Sequence, residues 1–77
     1  GDTEKAISHF NNAAKRANDE MLSPLYYNKA GFAYLSVKNY AKAVEMFQMI
    51  KDKYVNSPQG QEADKYIEAA KLQKTGN

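Results

Sequence analysis

His9 is the single histidine of the chain, and the chain has no cysteine. Those two facts remove most of the nucleophilic and metal chemistry that 77 residues could carry. A triad needs a histidine beside a nucleophile and an orienting carboxylate, and a zinc site needs three or four nitrogen, sulfur or oxygen ligands. Neither set assembles around His9, which sits beside Phe10 and reads as a surface or boundary residue. Glu62 and Asp64 are two residues apart, so on a helix they point to different faces instead of converging for acid–base work. Gly60 stands alone and makes no phosphate-cradling loop. Tyr27, Tyr34, Tyr40, Tyr54 and Tyr66 could stack on bases, but at helical spacing they are core or core-edge residues with a polar tip reaching water. No catalytic, cofactor-binding or metal-ligating residue is assigned, and the chain is not expected to be an enzyme.

Charge narrows the partners. Eleven Lys and Arg stand against nine Asp and Glu, for a net charge of +2. The two signs are mixed along the chain, whereas a nucleic-acid footprint concentrates basic residues on one face. No apolar run approaches the roughly 20 residues that span a bilayer, and no signal-peptide pattern is present. The expected partner is a protein or peptide, with no nucleic acid and no membrane contact by this segment. Gly1 opens directly on a helix-start signal, as a piece of a longer chain would.

The elements that would present a binding surface follow from an internal repeat. Asp2, Lys5, Ala6, Ile7, Phe10 and Ala13 return as Asn39, Lys42, Ala43, Val44, Phe47 and Ile50, at a constant offset of 37 (43 − 6 = 37; 47 − 10 = 37). A period in the range of about 20–50 residues marks stacked repeat units. Four helices are predicted. The first covers Thr3 to Ala17, with Asp2 as N-cap and Ala6, Ile7, Phe10, Ala13, Ala14 and Ala17 on one face. A loop over Asn18–Leu22 leads to a second helix started by Ser23 and Pro24, whose apolar face is Tyr27, Ala30, Gly31, Tyr34 and Leu35. Gly31 costs about 1 kcal/mol inside a helix, so a large residue of a neighbouring helix is expected to fill its place. The third helix follows Asn39 and runs to about Tyr54. The fourth starts at Ser57 and Pro58, with Ala63, Tyr66, Ile67 and Ala70 inward and Glu62, Asp64, Lys65, Glu68 and Lys71 outward. Thr75, Gly76 and Asn77 are expected to fray.

Gly31, Tyr34, Ala43, Phe47 and Ile50 resemble the small–aromatic–Ala–aromatic–apolar signature of a tetratricopeptide repeat, at that family's spacing. Ala6, Phe10 and Ala13 resemble the second half of a preceding repeat. The sequence departs from the family where Val55 replaces the proline near the repeat's end, where Ile50 exceeds the usual alanine, and where the first repeat lacks its leading helix. The resemblance implies an all-α fold: four helices in an antiparallel helix-pair stack, a right-handed superhelix forming one domain over 1–77. Residues 1–17 would be the second helix of a preceding repeat, 23–54 one complete repeat, and 58–73 a capping helix. A narrower resemblance, through Ser23–Gly31 and Asp64–Lys71, is to the C-terminal end of bacterial envelope tetratricopeptide proteins, notably of the Bacteroidetes. It implies the periplasmic side of the cell envelope, with an anchor preceding this segment; the cytoplasm is the alternative.

The family resemblance also implies a function: a non-catalytic scaffold that holds a peptide or protein in the concave groove lined by leading helices. Leu25, Asn28, Lys29, Phe32 and Ser36 of the second helix would face that groove. Phe32 lies off the Tyr27–Ala30–Tyr34 face, and either meets the partner or packs under the fourth helix or a neighbouring helix outside this segment. Asn28 and Lys29 could donate to a peptide backbone or carboxylate, without the fuller set of a peptide-terminus clamp. The alternative is an end-piece of a longer array that self-associates through Ile7, Phe10, Ala13 and Ala14 of the first helix, giving a homodimer. The expected core is Ala6, Phe10, Ala30, Gly31, Tyr34, Ala43, Phe47, Ile67 and Ala70.

Overall fold

The computed structural model describes residues 1–76 and contains four α-helices: α1 (Asp2–Ala17), α2 (Leu22–Ser36), α3 (Tyr40–Lys53) and α4 (Pro58–Gly76). There is no strand among the described residues. Successive helices run antiparallel through short turns, so the fold is the expected all-α helix stack. Among the described residues α1 touches only α2, α3 touches α2 and α4, and α2 also touches α4. Such a zig-zag is pinched on its α2/α4 side and splayed on its α1/α3 side. It is flat, 36 × 30 × 13 Å, and α1 never closes against α4 as it would in a bundle.

Local chemistry explains each helix start. Asn39 caps α3, its side chain accepting from Lys42 N–H at 3.3 Å. Ser57 caps α4 as expected: its Oγ accepts from Gly60 N–H at 2.9 Å and donates to the Tyr54 carbonyl at 2.7 Å. Ser23 does not cap α2. The turn before it is held by Asp19, whose Oδ1 accepts from the Met21 and Leu22 N–H groups at 2.7 and 2.8 Å. Those bonds hold the Asp19 carboxyl below its ordinary range. Helical structure therefore begins at Leu22, inside the expected loop, and Ser23 is fully buried. There its Oγ accepts from Asp19 N–H at 2.9 Å and donates to the Ala14 carbonyl at 2.8 Å, tying α2 to the end of α1. Asp2 lies inside α1 and provides no cap, because the helix already starts at that residue. α4 extends to Gly76, so Thr75 and Gly76 fall within its bounds, and Asn77 lies outside the described residues.

The core is centred on α3. Ala43, Phe47, Ile50, Ala63 and Ile67 form one buried cluster, with Tyr27, Tyr34, Leu35, Val44, Tyr54 and Tyr66 packed around it. Gly31 meets the expectation of close approach: a Cβ there would lie 2.7 Å from two ring carbons of Phe47. Gly60 has an equally strict reason that its isolation in the sequence did not reveal. A Cβ on Gly60 would run into the Tyr54 carbonyl, so the first turn of α4 can seat on the end of α3 only without a side chain. Of the expected core, Ala30, Gly31, Ala43, Phe47, Ile67 and Ala70 are buried, while Ala6, Phe10 and Tyr34 are only half-buried. On α1 the fully covered residues are instead Ile7 and Ala14, which face α2.

Candidate binding surface

The five residues expected to face a groove lie along α2. Leu25, Lys29, Phe32 and Ser36 are exposed, and Asn28 is half-buried. Phe32 keeps 39% of its surface accessible while its inner edge rests on two rings. It meets Tyr66 of α4 edge-on at 4.8 Å and Phe47 of α3 at 5.5 Å, and Tyr66 and Phe47 are themselves 5.5 Å apart. The two edge-to-face contacts of Phe32 add about 0.5–1.5 kcal/mol each beyond burial. Phe32 thus packs against the fourth helix and still offers an accessible edge. Tyr66 is half-buried, as a core-edge residue should be, and the sequence also signals its place beside Phe32: it follows Pro58 by eight residues, as Phe32 follows Pro24 (66 − 58 = 8; 32 − 24 = 8). The two Ser-Pro helices present matching aromatics side by side.

Ser36 spends its hydroxyl on its own helix, donating to the Ala33 carbonyl at 2.6 Å, so it is the least available of the five. Asn28 is different. Its Oδ1 is buried with no hydrogen-bond partner among the described residues, a state that normally costs about 1–3 kcal/mol unless something donates to it. Leu25 connects the stripe to a cleft of about 400 Å³ between the α1–α2 and α3–α4 turns. Met21, Leu25, Val55 and Pro58 supply its apolar lining, with Glu20 and Lys53 among its charged residues. Met21 and Val55 are among the most exposed large hydrophobic residues, at 78% and 56%. Both lie in turns, outside the helical periodicity. Behind the cleft the Tyr27 and Tyr54 rings pack at 6.3 Å, and burial, then the Tyr54 side chain, pushes the Tyr27 phenol up.

The self-association residues separate in the structure. Ile7 and Ala14 are 7% and 1% exposed; covered by α2, they cannot also form an interface with another molecule. Phe10 and Ala13 remain half-buried, with His9 edge-on to Phe10 at 6.0 Å. Among the described residues no group of three or more His, Cys, Asp or Glu is placed to hold a metal ion, and no helix is long and apolar enough to cross a membrane. Comparison with family models, curated proteins and solved structures finds no match to this chain.

Proposed function

We propose that the chain is a tetratricopeptide-type interaction module that holds a peptide or protein segment along α2, on the pinched side of the stack. The observation that carries this reading is the α2 stripe of Leu25, Asn28, Lys29 and Phe32, whose first member, Leu25, also lines the apolar cleft at the start of α2 and α4. Supporting it are the internal repeat and the seating of Phe47 on Gly31. The surface suits an extended segment with one apolar side chain for the cleft and an acidic group for Lys29. The envelope location rests on the narrower sequence resemblance and is part of the same proposal.

The test is selection from a random peptide library with the wild-type chain, followed by affinity measurement on a Leu25→Ser/Lys29→Glu variant. Both residues are exposed, so the variant keeps its helical circular dichroism. Selected peptides that lose about tenfold or more in affinity support the proposal, since one lost anchor of about 1.4 kcal/mol gives that factor. Peptides that bind both proteins equally place recognition elsewhere and contradict it. Phe32 is left unchanged because its contacts with Phe47 and Tyr66 tie it to the fold.

A further inference from the structure

Thr3, Ala6, Phe10, Ala13 and Ala17 alternate in steps of three and four along α1, the spacing of a coiled-coil seam. All five are half-buried. The seam is bordered on one side by Ile7 and Ala14, which are closed under α2, and on the other by exposed Asp2, His9 and Arg16. In the second copy of the repeat the corresponding Ala43, Phe47 and Ile50 are fully covered, because α3 has helices on two sides. α1 has a helix on one side only. The seam is thus a helix-docking face centred on Phe10, open on one side among the described residues.

The charges beside the seam say what fits it. Asp2, His9 and Arg16 are seven residues apart (9 − 2 = 7; 16 − 9 = 7), so they form one line on the open flank. Turned end for end about its middle, that line complements itself: acid meets base at both ends. We propose that this face binds a second copy of the chain, α1 against α1 in an antiparallel two-fold pair. Phe10 of each copy lies over Ala6 of the other, a large residue against a small one as Phe47 lies over Gly31. Asp2 of each copy pairs with Arg16 of the other, while the two His9 side chains meet at the axis. The interface is isologous, so it closes at the dimer and does not propagate into fibres. A 16-residue helix is about 24 Å long, which places the contact at the transient end of interface sizes, below about 1,200 Å².

The experiment is sedimentation equilibrium from about 10 µM to about 1 mM, a range that covers weak association, on wild type, Asp2→Arg, Arg16→Asp and the double variant. All substituted side chains are exposed, and circular dichroism checks the fold. Wild type should show mass rising toward the dimer. Each single reversal sets like charges against each other twice and should weaken association about tenfold; the double variant should return to near the wild-type value. The double variant is also the worst arrangement for α1's own dipole, with base at the first turn and acid at the last, so its recovery cannot come from a stabler helix. A monomer at every concentration overturns the proposal and leaves the face to a helix from elsewhere. A dimer indifferent to the single reversals, or one weakened by them and not restored by the double, overturns it as well.

Discussion

Phe10 and Phe47 hold the same position in the two copies of the internal repeat, yet one is half-buried and the other fully buried. The local sequence around them is closely matched: Lys-Ala-Ile before Phe10, Lys-Ala-Val before Phe47. What differs is the number of neighbours. α3 lies between α2 and α4, whereas α1 has only α2. In a stacked fold the same residue is structural where a helix covers both sides and is available for binding where one side is open. Hydrophobicity at a repeat position therefore does not by itself say which role the residue has. The two ends of the stack make the same point: α4 turns Glu62, Asp64, Lys65 and Glu68 outward, while α1 leaves an apolar seam.

The largest expected effect tests the closed copy. Phe47→Ala removes the ring that fills Gly31 and supports Phe32 and Tyr66. It should cost about 3–5 kcal/mol, read by urea denaturation, and is enough to unfold a domain this small. A loss under about 1 kcal/mol would mean the core lies elsewhere. Next is Gly60→Ala, whose Cβ meets the backbone carbonyl of Tyr54. Overpacking costs about 1–3 kcal/mol, occasionally more, and rigid backbone places this substitution at the top of that range. Gly31→Ala, which meets a side-chain ring, should cost less in the same titration. The open copy supplies the matching test: Phe10→Ala should cost only about 1 kcal/mol, since half of the side chain's transfer energy is already forfeited to water. Equal losses for Phe10→Ala and Phe47→Ala would break the comparison.

Two smaller effects concern the turns. Lys38 has a left-handed backbone, φ 61°, at the end of α2. Lys38→Gly relieves that conformation and should stabilise the chain by about 0.5–1 kcal/mol, seen as a rise in melting temperature. Asp19 gives an acid dependence. Its folded-state pKa is lowered from an ordinary 3.8 by the Leu22 and Met21 N–H groups. Its contribution is therefore fully present above that ordinary value and is lost as pH falls through the lowered one. Melting temperatures of wild type and Asp19→Ala should differ at neutral pH and converge in acid; a gap that persists at low pH would remove the charge from the account.

The helices were legible because burial and helical periodicity coincide in α3 and α4, where Ala43, Phe47, Ile67 and Ala70 face inward at the expected spacing. The starts were less so. Ser23-Pro24 and Ser57-Pro58 are identical dipeptides, but Asp19 lies four residues before Ser23 and captures the cap, pushing Ser23 inside the helix. On α1 the apolar face is broad enough to be met from either flank. Its periodicity therefore could not say that α2 takes Ile7 and Ala14 and leaves Ala6, Phe10 and Ala13 half-covered. Spacing could place Leu25, Lys29, Phe32 and Ser36 on one stripe of α2, where they are exposed, whereas Tyr66, Met21 and Val55 enter only when α4 and the two turns are brought beside it.

Native-state hydrogen exchange tests most directly the claim that coverage on two sides separates the copies. Amides of α2 and α3 should exchange only through global unfolding, while those of α1 open at a lower free energy, because α1 can detach from α2 without disturbing Phe47. That ordering, measured at a concentration where the chain is monomeric, is what the account predicts. Protection of α1 equal to that of α3 would show that one neighbour is as good as two, and would contradict it.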